Sequence, residues 1–270
     1  MLAISRLAVT AALGLLVLVL CACGATHRVG RRVASTASVG VPTSGARLAG
    51  DSSLPPGVVA LVGRNAITER ELEHWAAVEA VTELPMPTRP LPLGVVPDPP
   101  GYKSCIAYLA KTAESGRERP VPDGAQLKQR CEQEHEALQQ AALAELIRHD
   151  WEREEARKER LSVTSAEVEA AILRRFSSEA DLRRYLSLTR LRMSDERFLI
   201  GEETLDERWY RANIPAYAKL ARVKPESEQL VGEIDRGRGS LDERVAETWR
   251  PRTRCSTGYV LPECSEYKEG

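Results

Sequence analysis

The chain has none of the residue spacings that mark a catalytic or metal centre. No two of its six cysteines stand at CxxC spacing, so the thiolate pairs of a structural zinc site are missing. Its histidines include no HExxH, the arrangement that presents two imidazoles and a general base from one helical face. His135 and His149 lie fourteen positions apart near one face of a helical segment, and read as surface or half-buried side chains. An excess of basic charge is also lacking, since 38 Lys and Arg face 39 Asp and Glu. That balance excludes a dedicated nucleic-acid binder. The residues therefore predict no catalytic residue, no metal, no cofactor and no nucleic-acid partner.

One absence is constructive. After Gly124 the chain runs to Leu161 without glycine or proline, dense in Ala, Leu, Glu, Gln, Lys and Arg, the strongest helix formers. This predicts a single helix over Asp123–Leu161, roughly 58 Å long at about 1.5 Å per residue. Leu127, Cys131, Leu138, Ala142, Leu146 and Trp151 form its apolar stripe, broadened by Leu143 and Ile147. So broad a stripe needs partners on more than one side. From Glu152 to Arg160 opposite charges recur at i,i+3 and i,i+4, as in Glu154 and Lys158, which predicts a solvated arm.

The start of the chain reads as a targeting segment. Arg6 precedes Leu7–Leu20, an apolar run of signal-peptide length that is too short to span a bilayer comfortably. The run closes in Leu20-Cys21-Ala22-Cys23-Gly24, which resembles the lipobox of a bacterial lipoprotein, with Cys21 where a small or aliphatic residue is usual. The resemblance implies that 1–22 is a lipoprotein signal peptide and that Cys23 is lipidated. It also implies that the mature chain is held by lipid on the extracytoplasmic side of the cell membrane. From 23 to 56 the chain has no aromatic residue and is rich in Gly, Ser, Thr, Ala, Val and Arg, which predicts a flexible tether. Cys105, Cys131, Cys255 and Cys264 remain. An even number in an exported chain points to disulfides, with three connectivities open; nearest-neighbour pairing of Cys105 with Cys131 and Cys255 with Cys264 needs the least rearrangement.

The folded part is expected from 57 to 270. Val58–Val62 reads as a strand, Gly63-Arg64-Asn65 as a turn and Ala66-Ile67 as its return. Thr68 with Glu71 forms a capping box opening a helix to about Leu84, its face defined by Leu72, Trp75, Ala76, Glu79 and Ala80 with Trp75 as core anchor. The segment from Pro85 to Gly101 is too rich in proline for a helix, and Tyr102 to Thr112 follows as a short one. Thr164 with Glu167 is a second capping box. Ser178 and Ser194 cap further helices, the last running from Asp195 to about Arg222 with Pro215 interrupting it as either a kink or an end. Two more helices are expected, Glu226 to Arg236 and Ser240 to Trp249, broken by Gly237-Arg238-Gly239. The chain closes in a small loop bounded by Cys255 and Cys264.

The stretch VALVGRNAITERELEHW resembles the opening of the SurA- and PrsA-type extracytoplasmic foldases, apart from Gly63-Arg64-Asn65 in place of an Asn-Gly turn. The long helix, the junction from Leu161 to Val168 and the short helices after it are also similar to that family's N-terminal peptide-binding domain. The resemblance covers Val58 to Val223. It implies a mainly α fold, a SurA N-terminal-domain-like helical array around one long helix with a short N-terminal β-hairpin. It further implies a membrane-anchored chaperone or holdase that binds unfolded exported polypeptides. Leu146, Trp151, Phe198, Trp209, Tyr210 and Tyr217 are the expected peptide-binding residues, with ordinary core packing the alternative for each. Such foldases usually carry a parvulin isomerase domain of about 90 residues, for which Val223 to Arg250 leaves no room, so no isomerase activity is expected. The competing reading is a structural or partner-docking envelope lipoprotein.

Overall fold

The opening strand β1 (Val58–Val62) turns back through Gly63 and Arg64 into β2 (Asn65–Thr68), pairing Val62 with Asn65 and Ala60 with Ile67. Gly63 takes φ +59°, a left-handed conformation open to glycine at no steric cost. Thr68 then caps helix α1 (Glu69–Thr82), its Oγ1 accepting from the Glu71 N–H at 3.2 Å. Leu72, Ala76 and Ala80 recur every fourth residue, and all three are buried.

This computed structural model describes residues 54–84, 87–116, 122–220, 228–259 and 261–268, all within one compact unit, Gly50–Gly270. The expected signal peptide, Cys23 and nearly all of the tether lie outside the described residues. Helix α2 (Lys103–Gly116) starts where the Asp98 carboxylate accepts from the N–H groups of Ser104 and Cys105 at 3.0 and 3.1 Å. The Cys105–Cys131 disulfide pins it to α3 (Gly124–Lys158), the 35-residue helix expected from the sequence. A capping box opens α3: Asp123 Oδ1 accepts from the Gln126 N–H and Gln126 Oε1 from the Asp123 N–H.

Three helices follow: α4 (Ser165–Arg175), α5 (Glu179–Thr189) and α6 (Met193–Asn213). The first two are capped by Thr164 and Ser178, as expected. Short α7 (Tyr217–Leu220), α8 (Glu228–Trp249) and strand β3 (Thr253–Cys255) complete the elements. The fold is mainly α, with a small antiparallel sheet of order β2-β1-β3. β3 extends the expected hairpin by pairing Thr253 with Val62 and Cys255 with Ala60. Three residues with an exposed arginine at their centre carry no strand pattern of their own, and β1 supplies the template. The main core gathers the sheet, α1, α3, α6, α8 and the C-terminal loop closed by Cys255–Cys264. Ile172, Phe176, Leu182 and Ile200 form a smaller core under α4 and α5.

Three expectations are corrected by this arrangement. The helix expected from Asp195 opens at Met193 with Arg192, and not Ser194, as its N-cap, and it stops at Asn213 because Ile214, which precedes Pro215, is extended with φ −114° and ψ 105°. The Gly237-Arg238-Gly239 break does not occur; α8 runs through it. A Cβ built on Gly237 would lie 2.6 Å from Ile214 Cγ2, so this glycine serves close approach of two segments and not a turn. Gly239 meets nothing within 4 Å. Gly237→Ala is therefore expected to destabilise the fold by about 1–3 kcal/mol, whereas Gly239→Ala should stabilise it by up to about 1 kcal/mol through helix propensity. Urea unfolding of the two variants checks the contrast, and equal effects would refute the packing assigned to Gly237.

The third correction concerns the charged end of α3. Glu152 and Ala156 are buried there, and the acids accept bonds from other elements. Glu155 Oε1 takes the Trp249 indole N–H at 2.6 Å, Glu159 Oε1 the Trp209 indole N–H at 3.2 Å, and Glu154 Oε1 the Asn65 side chain at 3.3 Å. The carboxylates cap the polar edges of buried rings, which lets those rings sit at the border of the core. Only Arg157 to Arg160 are exposed along this end.

Candidate functional site

Polar side chains concentrate where α3 lies against α6, on the turns flanking Trp151 and Tyr210. Asp150 and Glu152 of α3 and Glu202 of α6 are buried, while Asp206 and His149 are half-buried. They occupy interior positions because they share the helical faces of the apolar residues: Glu202 precedes Trp209 and Tyr210 by two turns and Asp206 by one. Arg153 bridges the helices, with Nη2 2.6 Å from Asp150 Oδ1 and Nη1 3.6 Å from Glu202 Oε1. Tyr210 donates its hydroxyl to Asp242 Oδ1 of α8 at 2.8 Å, and Arg238 stacks 4.8 Å above the Tyr210 ring.

Burial sets the electrostatics of this seam. The Glu202 carboxyl is raised to about 7, chiefly by desolvation, with Arg153 opposing and Asp206 and Asp150 adding to the rise. Asp150 is raised for the same first reason. Desolvation also lifts the Tyr210 phenol, helped by Glu152 and Asp242. Along the same helix, Arg148 pairs with Glu145 and with Glu263 of the C-terminal loop at 2.8 and 3.3 Å. Glu79 of α1 is raised to about 7 by burial first, then by Glu83 and Glu145.

The sign of the Glu202 effect is definite. Folded chains keep its proton up to about 7 and unfolded chains lose it near 4.5. Between those values the folded state binds more protons, so stability falls as pH rises, by up to about 1.4 kcal/mol per pH unit from this group. Glu202→Gln is expected to stabilise the protein at about pH 8 and to leave it unchanged near pH 4.5, as read by urea unfolding at both values. A stabilisation independent of pH would refute the assignment.

The side chains expected to line a peptide groove are packed into the interior. Leu146 and Trp151 are each 4% exposed, Trp209 2%, Tyr210 6% and Tyr217 7%. Phe198 is half-buried, its ring 4.4 Å from that of Trp75 and 5.7 Å from the Arg153 guanidinium. Each of the five buried residues belongs to the main core. The two cysteine pairs stand as nearest-neighbour pairing would have them. Sequence reasoning passed over Glu152, Glu202 and Asp206, whose signal was the placing of acids on stripes otherwise apolar.

A cavity of about 180 Å³ lies elsewhere, between the Pro-rich segment and α1, lined by Val81, Leu91, Pro92, Val96 and Arg190. The adjoining Asp98 carboxylate is committed to the start of α2. Among the described residues no helix is long and apolar enough to cross a membrane. No protein-family model, curated protein or solved structure matches this chain.

Proposed function

We propose that the chain is a lipid-anchored, extracytoplasmic structural protein whose helical body docks one specific partner and performs no catalysis. The observation that carries this reading is the self-covered spine. The apolar stripe of α3 is occupied by α1, β1, α6 and α8, and Leu261 and Cys264 of the C-terminal loop join the same core. A general holdase works through a broad open apolar surface. Among the described residues the exposed large apolar side chains are Leu93, Leu173 and Val231, on three separate elements.

A second reading, capture of unfolded exported chains, draws on the order of elements. A strand pair, a Thr-capped helix, one long helix and a series of short capped helices follow in sequence. It is the order that the SurA-type resemblance implies. That activity requires α6 or α8 to leave the spine. The two readings part in an aggregation assay with several unrelated unfolded proteins at near-stoichiometric ratio. No protection is expected; suppression of aggregation for several of them would replace the docking reading with the holdase one.

A further inference from the structure

The α3–α6 seam contains a donor set that docking does not require. His149 and Glu152 stand one turn apart on α3, and Asp206 comes from α6. One ligand atom from each lies within 4.8 Å of the other two. We infer that His149, Glu152 and Asp206 form a binding site for one divalent first-row transition ion, with Zn²⁺ as its representative.

The chemistry of the donors selects the ion. One imidazole and two carboxylates are a mixed nitrogen and oxygen set, which suits zinc and its neighbours better than calcium or magnesium, whose sites are built of oxygen alone. Metal–ligand bonds of about 2.0–2.2 Å place tetrahedral ligands about 3.3 Å apart. The three ligand atoms, within 4.8 Å of one another, close toward that spacing when the ion binds. His149 Nε2 lies 3.9 Å from Glu145 Oε2, one turn before it on the same helix, and the residue is half-buried.

A second observation comes from Glu202, one turn before Asp206. It is 9% exposed, and its Oε2 is buried with no hydrogen-bond partner. Its Oε1 shares Arg153 with Asp150, so one guanidinium is divided between two buried carboxylates, and the charge of Asp206 adds to theirs. Buried carboxylates are stable when paired or coordinated to metal. A dication bound by the triad supplies that compensation and clamps α3 to α6, with water completing its coordination.

The test uses the full chain, tag-free and stripped with chelator. Calorimetric titration with Zn²⁺ alone is expected to show one saturable site per chain and a raised Tm on loading. His149→Ala and Asp206→Asn are each expected to weaken that site by at least about 100-fold, since loss even of an outer-shell partner costs about 10–100-fold. His135→Ala should leave it unchanged. A readout independent of variant folding is Co²⁺ added to wild-type protein, which should broaden the His149 imidazole resonances ahead of those of His74 and His135. Absence of saturable binding, binding indifferent to both ligand variants, or Co²⁺ broadening of another histidine with His149 unmoved would each overturn the site.

Discussion

Trp151→Ala is expected to destabilise the chain by about 3–5 kcal/mol, the range for truncating a large buried aromatic side chain. Trp151 is 4% exposed at the centre of the α3 stripe. Its indole N–H donates to Thr253 Oγ1 at 2.9 Å, and that hydroxyl, fully buried, donates onward to the Trp249 carbonyl at 3.0 Å. One ring therefore joins the long helix to β3 and to the end of α8. Trp151→Phe separates the two contributions: most of the volume remains, but Thr253 loses its donor, at a cost of about 1–3 kcal/mol. Combined with Thr253→Val, the double change should cost less than the sum of the singles by about 1 kcal/mol. Urea unfolding followed by circular dichroism reads all four variants, Thr253→Val alone included. A Trp151→Ala penalty below about 1 kcal/mol would mean that the ring is not a core member.

Removing the Cys105–Cys131 bridge as a double alanine variant is expected to cost about 3–4 kcal/mol by the loop-entropy relation, for cysteines 26 residues apart. The Cys255–Cys264 bridge spans 9 residues and should cost about 2–3 kcal/mol. The two losses differ in place as well as in size. Cys105 and Cys131 share a small cluster with Tyr102, Ile106 and Leu109, apart from the main core. Their loss should free α2 and the Pro-rich segment to proteolysis while α3 beyond Leu138 stays protected. Cys255 and Cys264 belong to the main core, and their loss should loosen β3 with it. Mass spectrometry of the unreduced protein is the prior check: free thiols at Cys105 and Cys131 would remove the basis for the first expectation, and free thiols at Cys255 and Cys264 the basis for the second.

Much of the fold was legible because its signals are local. A glycine- and proline-free run predicts α3 within a few residues at its end, and Thr68, Thr164 and Ser178 each cap the helix they were expected to cap. A cap bonds a backbone N–H three residues away, so sequence contains both partners. Gly237 misled for the complementary reason. Its meaning lies in Ile214, on another segment, and the same residue type serves turns and close approaches alike.

The candidate site was less legible still. Glu152 and Asp206 look like surface acids in a charged helix until the packing of α6 encloses them, and the triad with His149 joins positions far apart in the chain. The aromatic row from Trp209 to Tyr217 offered a groove and a core equally well, since an apolar stripe records only that something covers it.

By itself, then, the sequence determined the helical class, the long helix and the caps at Thr68, Thr164 and Ser178, and it favoured, among three connectivities, the cysteine pairing that chain proximity suggests. The tertiary structure alone decided that the spine is covered by the chain's own segments, that β3 joins the sheet, and that acids from two helices meet in a buried seam. Helix formation and capping act over three or four residues, which sequence displays directly. Burial, and with it the cost and the chemistry of a carboxylate, depends on what arrives from elsewhere in the chain.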